Sequence, residues 1–240
     1  MNSLREKVAI VTGGGSGIGR GIALSLAREG VYVVVCGRRI DRLENTVSTI
    51  QEFFSEAIAV SADISIIEDV ERLVKTANEK YGRVDILVNN AGIHASAEIH
   101  MLDVESWDRI FGTNLRGSFL LTRHILPIMR AQQSGHIINI SSESGLEYYT
   151  GDTAYGTSKH ALNAFGEYIQ RENQGLNIRV NTICPGMVVT DMTENSPGLD
   201  QNKCLYPEDI AELVIWLLTR RPNIKIGTPI LIQTMQNPWE

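Results

Sequence analysis

Tyr155 and Lys159 stand four residues apart in the stretch YGTSK, a spacing that places both side chains on one face of a helix. A phenol has an ordinary pKa of about 10, which is too high for efficient proton exchange at neutral pH. An adjacent ammonium group stabilises the phenolate and lowers that pKa, so the pair can supply a general acid and base. Taken alone, a tyrosine and a lysine at this spacing more often form only a contact on a helix surface. Whether this pair is catalytic therefore depends on the other residues of the chain.

A glycine-rich stretch near the amino terminus is the second chemical signal. VTGGGSGIGRGI, residues 11–22, does not match the fingerprint G-x-G-x-x-G in any register. It lies between an apolar run and a helical pattern, where backbone N–H groups and the positive end of a helix can hold a pyrophosphate. A tight turn from strand to helix also favours glycine without any ligand.

Further motifs follow the glycine stretch along the chain. They are NNAG at residues 89–92, Ser142 thirteen positions before Tyr155, YGTSK at residues 155–159 and PGMVVT at residues 185–190. With TGGGSGIG at residues 12–19, they resemble the T-G-x-x-x-G-x-G, N-N-A-G, Ser, Y-x-x-x-K and P-G motifs of the short-chain dehydrogenase/reductase family. The resemblance covers most of the chain, and five motifs in the family order are a specific signal.

This resemblance implies roles for four catalytic residues. Tyr155 would be the general acid/base, favoured as phenolate by Lys159 and by an oxidised nicotinamide ring. Ser142 would donate a hydrogen bond to the substrate oxygen as charge develops there. Lys159 would also bind the nicotinamide ribose, and Asn114, in FGTNLRG, would help to hold a water in the proton relay.

The resemblance also implies the surroundings of a dinucleotide. Asp63, in SADI, matches the family acid near the adenine, although it could equally cap a helix. Asn90 matches the asparagine beside the adenosine ribose, and Val188 and Thr190 match positions that line the nicotinamide carboxamide. The full set expected to bind the cofactor is Gly13, Gly15, Ser16, Gly17, Ile18, Gly19, Arg38, Arg39, Asp63, Ile64, Asn90, Ala91, Gly92, Tyr155, Lys159, Pro185, Gly186, Val188 and Thr190.

The end of the second apolar run predicts which nicotinamide cofactor is used. In VVVCGRRIDRL, Gly37 occupies the place where NAD-selective sites carry an acidic residue for the ribose hydroxyls. Arg38 and Arg39 follow, and arginine can pair bidentately with a 2′-phosphate, which favours NADP(H) over NAD(H). The alternative is that both arginines are only solvated. Asp41 argues for NAD(H), unless it serves as the cap of the next helix.

Seven apolar runs must form the strands that position these motifs: KVAIVT, VYVVVCG, AIAVSADI, VDILVNNAG, GHIINISS, IRVNTICPG and PILIQT. Their continuous apolarity is typical of strands covered on both faces, and the long spacers predict a mainly parallel sheet. Amphipathic spacing predicts helices over residues 19–29, 41–56, 67–81, 104–130, 155–172 and 207–218, with Pro127 bending or ending one of them. We therefore expect a single α/β domain over residues 1–240, a doubly wound Rossmann fold with a short substrate lid at about 190–206.

Composition narrows the class of protein. A chain of 240 residues suits one large core. The net charge of −6 argues against nucleic acid or an anionic membrane surface as partner, which leaves a small molecule. No apolar run approaches the roughly 20 residues of a membrane span, so a cytoplasmic protein is expected. Cys36, Cys184 and Cys204 are expected to be reduced and packed in or near the core, and no cluster has metal-ligand spacing.

The substrate is less well specified. The candidate pocket residues mix aromatic, thioether and polar groups without a cationic clamp, which favours a mostly apolar ketone. The tail NIKIGTPILIQTMQNPWE resembles the branch of the family that contains NADP-dependent 3-hydroxy acid (serine-type) dehydrogenases. His94 and His100 match no family motif, so an ordinary loop or surface role is the default for both. The pocket candidates are His94, Glu143, Ser144, Tyr148, Tyr149, Met187 and Met192.

The implied reaction is reversible hydride transfer between NADP(H) and a carbonyl/secondary-alcohol pair. A 3-oxoacyl carrier-protein reductase is an alternative, although an acidic chain suits an acidic carrier protein poorly. A non-catalytic NADP(H)-sensing protein is another, disfavoured by the complete catalytic set. An epimerase or dehydratase of the extended branch would need a larger C-terminal domain. The resemblance also implies a homo-oligomer, dimer or tetramer, packed through the helices that begin near Val104 and Tyr155.

Overall fold

Seven parallel strands form one sheet in the order β3-β2-β1-β4-β5-β6-β7. The computed structural model describes residues 4–52, 55–194 and 196–240. Every strand pair within the sheet is parallel, as the continuous apolar runs predict. The strands are β1 (Val8–Thr12), β2 (Tyr32–Gly37), β3 (Ala57–Ser61), β4 (Ile86–Asn89), β5 (Gly135–Ile140), β6 (Ile178–Pro185) and β7 (Ile230–Ile232).

The helices connect consecutive strands and differ in detail from the predicted spans. The predicted helix over residues 41–56 is too long, because α2 ends at Gln51; residues 53 and 54 lie outside the described residues. Pro127 lies inside α5 without ending it. The helices are α1 (Gly17–Arg28), α2 (Ile40–Gln51), α3 (Ile67–Tyr81), α4 (Val104–Phe111), α5 (Ser118–Gln132), α6 (Thr153–Asn173) and α7 (Pro207–Leu218). A π-helical turn, Gly112–Gly117, joins α4 to α5 without a break.

Two apolar clusters cover the two faces of the sheet. In β1, Val11 packs in one cluster with Leu26 of α1 and Val214 of α7. The adjacent Ile10 packs in the other, with Leu73 of α3 and Leu121 of α5. Because successive side chains of a strand point to opposite faces, a strand buried on both sides must be apolar throughout. Burying one such side chain contributes about 1.5–3 kcal/mol.

Strand order fixes where a ligand site can form. The chain runs from β1 outward to β2 and β3 on one side, then returns to place β4 on the other side of β1. The two connections therefore diverge at the carboxyl ends of β1 and β4, leaving a crevice between Thr12 and Asn89. Ligands of open parallel sheets bind in crevices of this kind.

Residues 190–206 leave the carboxyl end of β6 and return to it. Val189 N donates to Leu205 O, and Leu205 N donates to Met187 O, each at 2.9 Å. The described part of this segment contains one short 3₁₀ turn, Gln201–Lys203. Its two ends are thus tied together at the sheet, and the described residues between them form no strand and no α-helix. Among the helices of the described chain, none combines the length and apolarity that a membrane span requires.

Candidate active site

The glycine turn after β1 is held to the end of β4 by one threonine. Thr12 Oγ1 donates to Val88 O at 3.2 Å and accepts from the N–H groups of Asn90 and Ala91, each at 2.9 Å. A Cβ on Gly19 would overlap the carbonyl group of Gly13 and the side-chain amide of Asn90. The turn therefore requires glycine at position 19 for packing, while the first glycine of the turn has a left-handed φ of +64°.

A cleft of about 370 Å³ runs along the carboxyl ends of the strands from this turn. Gly37, the position without an acidic residue at the end of β2, lines it. So do residues that were not predicted for the cofactor site, among them Arg42, Leu43, Thr113 and Asp191. The predicted cofactor residues that line it are Gly13, Gly15, Ser16, Gly17, Ile18, Arg38, Arg39, Asp63, Ile64, Asn90, Ala91, Gly92, Tyr155, Lys159 and Thr190.

The other predicted cofactor residues do not line this cleft. Gly19 lies behind the turn, as its close approach to Gly13 shows. Gly186 N donates to Ile232 O at 2.8 Å, which ties the residues after β6 to β7. Pro185 is buried as the last residue of β6, and Val188 packs in the core. Motif matching could not separate residues that face the cleft from those that only shape it.

Three arginines lie at the end of the cleft that β2 and α2 form. Arg39 Nη2 donates to Ser16 Oγ at 3.4 Å and lies 3.7 Å from Asp191 Oδ2. Arg38 and Arg42 have no carboxylate partner within residues 4–52, 55–194 and 196–240. Arg42 was not among the predicted cofactor residues, although it lies one helical turn beyond Arg38 and Arg39. This end of the cleft is therefore suited to an anionic group.

Neither Asp41, predicted to cap a helix, nor Asp63, for which a cap is the alternative to a contact with the adenine, occupies an N-cap. The residue at the N-cap of α2 is Arg39. Asp41 lies in the first helical turn, where its carboxylate interacts favourably with the positive end of the helix dipole. The N-cap of α3 is Ile66 rather than Asp63. Instead, Asp63 Oδ1 accepts from Ser65 N at 2.9 Å and from its hydroxyl at 2.7 Å, which closes the turn before α3.

Asn114 lies in the π-helical turn and is fully buried. Its Nδ2 donates to Ile93 O and to Ser158 Oγ, both at 3.0 Å, and its Oδ1 accepts from Ile93 N at 2.9 Å. Ser158 Oγ in turn donates to Tyr155 O at 2.7 Å. A π-helical turn inside an α-helix often marks a functional position. Here it brings a side-chain amide against the loop after β4 and against α6.

Tyr155 and Lys159 occupy the first turns of α6, as the i, i+4 spacing predicts. Lys159 is buried, and its Nζ donates to Ile140 O at 2.9 Å and lies 5.5 Å from the centre of the Tyr155 ring. Ser142, just beyond β5, lies close enough to Tyr155 for its hydroxyl to lower the tyrosine pKa. The structure therefore brings Ser142, Tyr155 and Lys159 together from two separate segments.

Burial dominates the electrostatics of this group. It raises the pKa of Tyr155 to about 12; the Ser142 hydroxyl opposes the rise, and the carboxylates of Asp152 and Glu143 add to it. Burial also lowers the pKa of Lys159 to about 8. The lowered phenol pKa expected from the sequence is therefore not produced by the protein alone, because removal from water dominates the shift.

The candidate substrate residues fall into two groups. The ring of His94 stands at 87° to that of Tyr155, with ring centres 4.9 Å apart, whereas His100 is exposed beside Glu98. Next to His94, Ser144 donates to Asp152. Burial raises the pKa of Glu143, and the neighbouring Tyr149 hydroxyl opposes that rise. The remaining candidates have other surroundings. Tyr148 is exposed and stacks on His160, and Met187 follows β6. Met192 lines the cleft and is half exposed.

Residues 7–198 match the family model described as short chain dehydrogenase. The chain belongs to the short-chain dehydrogenase/reductase family. It is 39% identical over 228 residues to an uncharacterized oxidoreductase of Staphylococcus saprophyticus, a match covering 95% of this chain and 97% of the relative. An uncharacterized oxidoreductase of Staphylococcus aureus strain MRSA252 is 36% identical over 227 residues, with the same coverage of both chains.

Solved structures of this dehydrogenase family share the fold. An alcohol dehydrogenase from the archaeon Thermococcus sibiricus, complexed with 5-hydroxy-NADP, superposes with a TM-score of 0.88 at 29% identity, covering 97% of this chain and 98% of that one. A 3-ketoacyl-(acyl-carrier-protein) reductase from Brucella melitensis, complexed with NADH, gives a TM-score of 0.89 at 31% identity, covering 96% and 98%. This chain is therefore an oxidoreductase with a nucleotide-binding Rossmann fold.

Proposed function

We propose that this protein transfers hydride reversibly between NADP(H) and a carbonyl/secondary-alcohol pair. One observation carries the proposal: Tyr155 and Lys159, with Ser142 beside the tyrosine, stand at one end of the cleft whose other end holds three arginines. A dinucleotide in this cleft, with its phosphorylated ribose at the arginines, would extend toward the tyrosine. The distribution of charge thus supports both the type of ligand and its direction of binding.

The preference for NADP(H) rests on the residues at the end of β2. Gly37 offers no carboxylate to the ribose hydroxyls, and Arg38 and Arg42 line the cleft without a carboxylate partner in the described part of the chain. A guanidinium group can bind a 2′-phosphate through two parallel hydrogen bonds. Because one similar structure is complexed with an NADP derivative and another with NADH, the preference depends on these arginines rather than on the family.

NADP(H), when bound, supplies or accepts the hydride. Ser142 and Tyr155 would hold the carbonyl oxygen with their hydroxyl groups as negative charge develops there. The raised pKa keeps the Tyr155 hydroxyl protonated at neutral pH, which is the form that donates a proton during reduction. Lys159 would bind the nicotinamide ribose, and Asn114, fixed between Ile93 and Ser158, would hold a water in the proton relay.

The same geometry supports three accompanying proposals. Residues 190–206 would act as a lid, since Thr190, Asp191 and Met192 line the cleft beyond the tied ends of the segment.

Exposed apolar side chains on α4, α5 and α6 would pack against a second copy of the chain in a dimer or tetramer. They are Val104, Phe119 and Tyr168. The protein would act in the cytoplasm, consistent with three buried and unpaired cysteines.

The deciding experiment combines binding with turnover. Purified protein is titrated with NADPH and with NADH, and NADPH consumption is then followed with aliphatic, aryl, 3-oxo-acid and 3-oxoacyl thioester carbonyls. Tighter binding of NADPH together with turnover of at least one carbonyl is expected. Tight binding without turnover across the panel would instead indicate an NADP(H)-sensing protein. Selective turnover of the thioester would favour a 3-oxoacyl carrier-protein reductase.

A further inference from the structure

Three side chains outside the family motifs form a hydrogen-bonded chain directly beside Tyr155. His94 Nε2 lies 2.9 Å from Asp152 Oδ1, and Ser144 Oγ donates to Asp152 Oδ2 at 3.3 Å. The His94 ring packs edge-on against the Tyr155 ring. We call these residues the His94–Asp152–Ser144 chain. Its members come from the loop after β4, the turn after β5 and the start of α6, so only the folded protein assembles it.

Asp152 is not used in the way its position suggests. It occupies the N-cap of α6, where an aspartate ordinarily accepts a hydrogen bond from the first helical turn, yet its side chain makes no cap hydrogen bond. Both carboxylate oxygens are turned instead toward His94 and Ser144. The carboxylate is therefore held in the site rather than on the helix that carries it.

The tautomer of His94 follows from this contact. A carboxylate can only accept, so a neutral His94 donates its Nε2 hydrogen to Asp152 and carries a lone pair on Nδ1. No hydrogen bond occupies that Nδ1 within residues 4–52, 55–194 and 196–240. The imidazole thus offers an acceptor beside Tyr155, and the carboxylate behind it strengthens that acceptor.

Carboxylates predominate around the His94–Asp152–Ser144 chain. After burial, the groups that raise the pKa of Tyr155 include the carboxylates of Asp152 and Glu143. The carboxylates of Glu143, Glu147 and Asp152 likewise raise the pKa of Tyr149. Lys159, the cation adjacent to Tyr155, is buried with its Nζ donating to Ile140 O. A substrate carboxylate here would meet like charge, whereas a hydroxyl or ammonium group would meet acceptors.

We infer that His94 and Asp152 determine specificity by accepting a hydrogen bond from a hydroxyl or ammonium group that the substrate carries beside its reacting carbonyl. The inference rests on the proposed reductase function and narrows it to hydroxyketones and aminoketones, or to the matching diols and amino alcohols in oxidation. It replaces the mostly apolar ketone expected from the pocket composition, because the polar residues among those candidates are the ones that gather at Tyr155.

The test compares four carbonyls that share one half of the molecule: 1-hydroxy-2-butanone, 1-amino-2-butanone, 3-pentanone and 2-oxobutanoate. With wild-type enzyme and NADPH, kcat/KM for the hydroxyketone and the aminoketone should exceed that for 3-pentanone by about tenfold or more, and 2-oxobutanoate should be the poorest substrate. These ratios are measured within one enzyme preparation, so they are independent of the fraction that is active.

Two variants and one matched control assign the preference to residues. In His94→Ala the ratio of kcat/KM for the hydroxyketone to that for 3-pentanone should fall about tenfold, because the acceptor is lost. In Asp152→Asn the corresponding ratio for the aminoketone should fall by about as much, because the negative charge is lost. His100→Ala removes the exposed histidine that is paired with Glu98 outside the site and should preserve both ratios. NADPH affinity and circular dichroism check that each variant is folded.

The outcomes distinguish a failure of the substrate preference from a failure of the reductase function. If wild-type enzyme reduces 3-pentanone as well as the hydroxyketone and the aminoketone, or if both ratios survive in His94→Ala and Asp152→Asn, the inference is overturned and the reductase function stands. If no carbonyl in this set or in the wider panel is reduced while NADPH binds, the reductase function fails and the inference fails with it.

Discussion

The side-chain amide of Asn114 holds the backbone of Ile93 in both directions, donating to its carbonyl at 3.0 Å and accepting from its N–H at 2.9 Å. The same Nδ2 donates to Ser158, one residue before Lys159. One buried amide in the π-helical turn thereby sets the positions of the loop after β4 and of α6. Tyr155 and His94, which lie on these two segments, depend on it for their mutual distance.

Replacing Asn114 with alanine should therefore affect both stability and turnover. The change leaves the backbone groups of Ile93 without partners, which should lower the free energy of unfolding by about 1–3 kcal/mol. Urea denaturation and steady-state kinetics measure the two effects. Asn173 is the matched control, because it is also fully buried and bonds Arg130 and Ile169 away from the site. Equal losses of kcat in Asn114→Ala and Asn173→Ala would contradict a local role in the site.

Tyr155→Phe removes the proposed proton donor and retains the ring. We expect kcat to fall by roughly 100-fold or more, with the Kd for NADPH within about threefold of wild type. Tyr32→Phe, at the start of β2 where the ring stacks on Tyr81 away from the cleft, should change neither quantity. Turnover that persists in Tyr155→Phe at the wild-type rate would remove Tyr155 from the mechanism.

Arg38→Ala and Arg42→Ala test the cofactor preference. A charge-assisted hydrogen bond to a phosphate contributes about 1.5–3 kcal/mol, so each variant should weaken NADPH binding by roughly tenfold or more. NADH binding should change little, because NADH lacks the 2′-phosphate. Fluorescence titration with both cofactors measures this difference, and Arg171→Ala, on the far part of α6, is the control. Equal weakening of NADPH and NADH would mean that these arginines do not read the phosphate.

Gly19→Ala should disrupt the turn that forms the floor of the cleft. Its Cβ would overlap the carbonyl of Gly13 and the amide of Asn90, so the turn must open or the threonine contacts behind it must break. We expect a lower melting temperature and loss of NADPH binding. Gly175→Ala places a Cβ where no atom lies within 4 Å and should leave both measurements unchanged. A Gly19→Ala protein that binds NADPH normally would show that the turn tolerates the displacement.

His136 should make the protein less stable as the pH falls. Burial, with a smaller contribution from Arg179, lowers its pKa to about 3 from the ordinary 6.5, while Nε2 stays bonded to Asn181 at 2.8 Å. Between these two values the unfolded chain binds a proton that the folded chain does not, so the free energy of unfolding falls by roughly 1.4 kcal/mol for each pH unit of acidification.

His136→Gln tests this contribution because it keeps a donor for Asn181 and removes the titration. Urea unfolding between pH 6.5 and about pH 5 should show a shallower decline for His136→Gln than for wild type, in a window where most carboxylates remain ionised. His100→Gln alters an exposed histidine and serves as the control. Parallel declines in wild type and His136→Gln would mean that His136 does not control the pH dependence.

Much of the fold was predictable from local pattern. The apolar runs identified all seven strands of the described sheet, and the periodicity of residues 67–81 and 207–218 matched α3 and α7 to the residue. The ends of α2 and the caps of α2 and α3 were not predictable, because short polar residues serve as caps, turns or surface groups with similar local energies. Of the two effects predicted for Pro127, ending the helix is excluded, because α5 continues past it to Gln132.

The sequence by itself determined the family, the doubly wound sheet, and the grouping of Ser142, Tyr155, Lys159 and Asn114 as a set, because these depend on residue type at short and regular spacing. Only the tertiary structure decided which glycines face the cleft, that Arg42 joins the predicted arginines, and that His94, Ser144 and Asp152 meet beside Tyr155. The contact between His94 and Asp152, for example, joins residues 58 positions apart. Such contacts exist only once strand order and helix packing have set the distances between separate segments, and no local pattern encodes them.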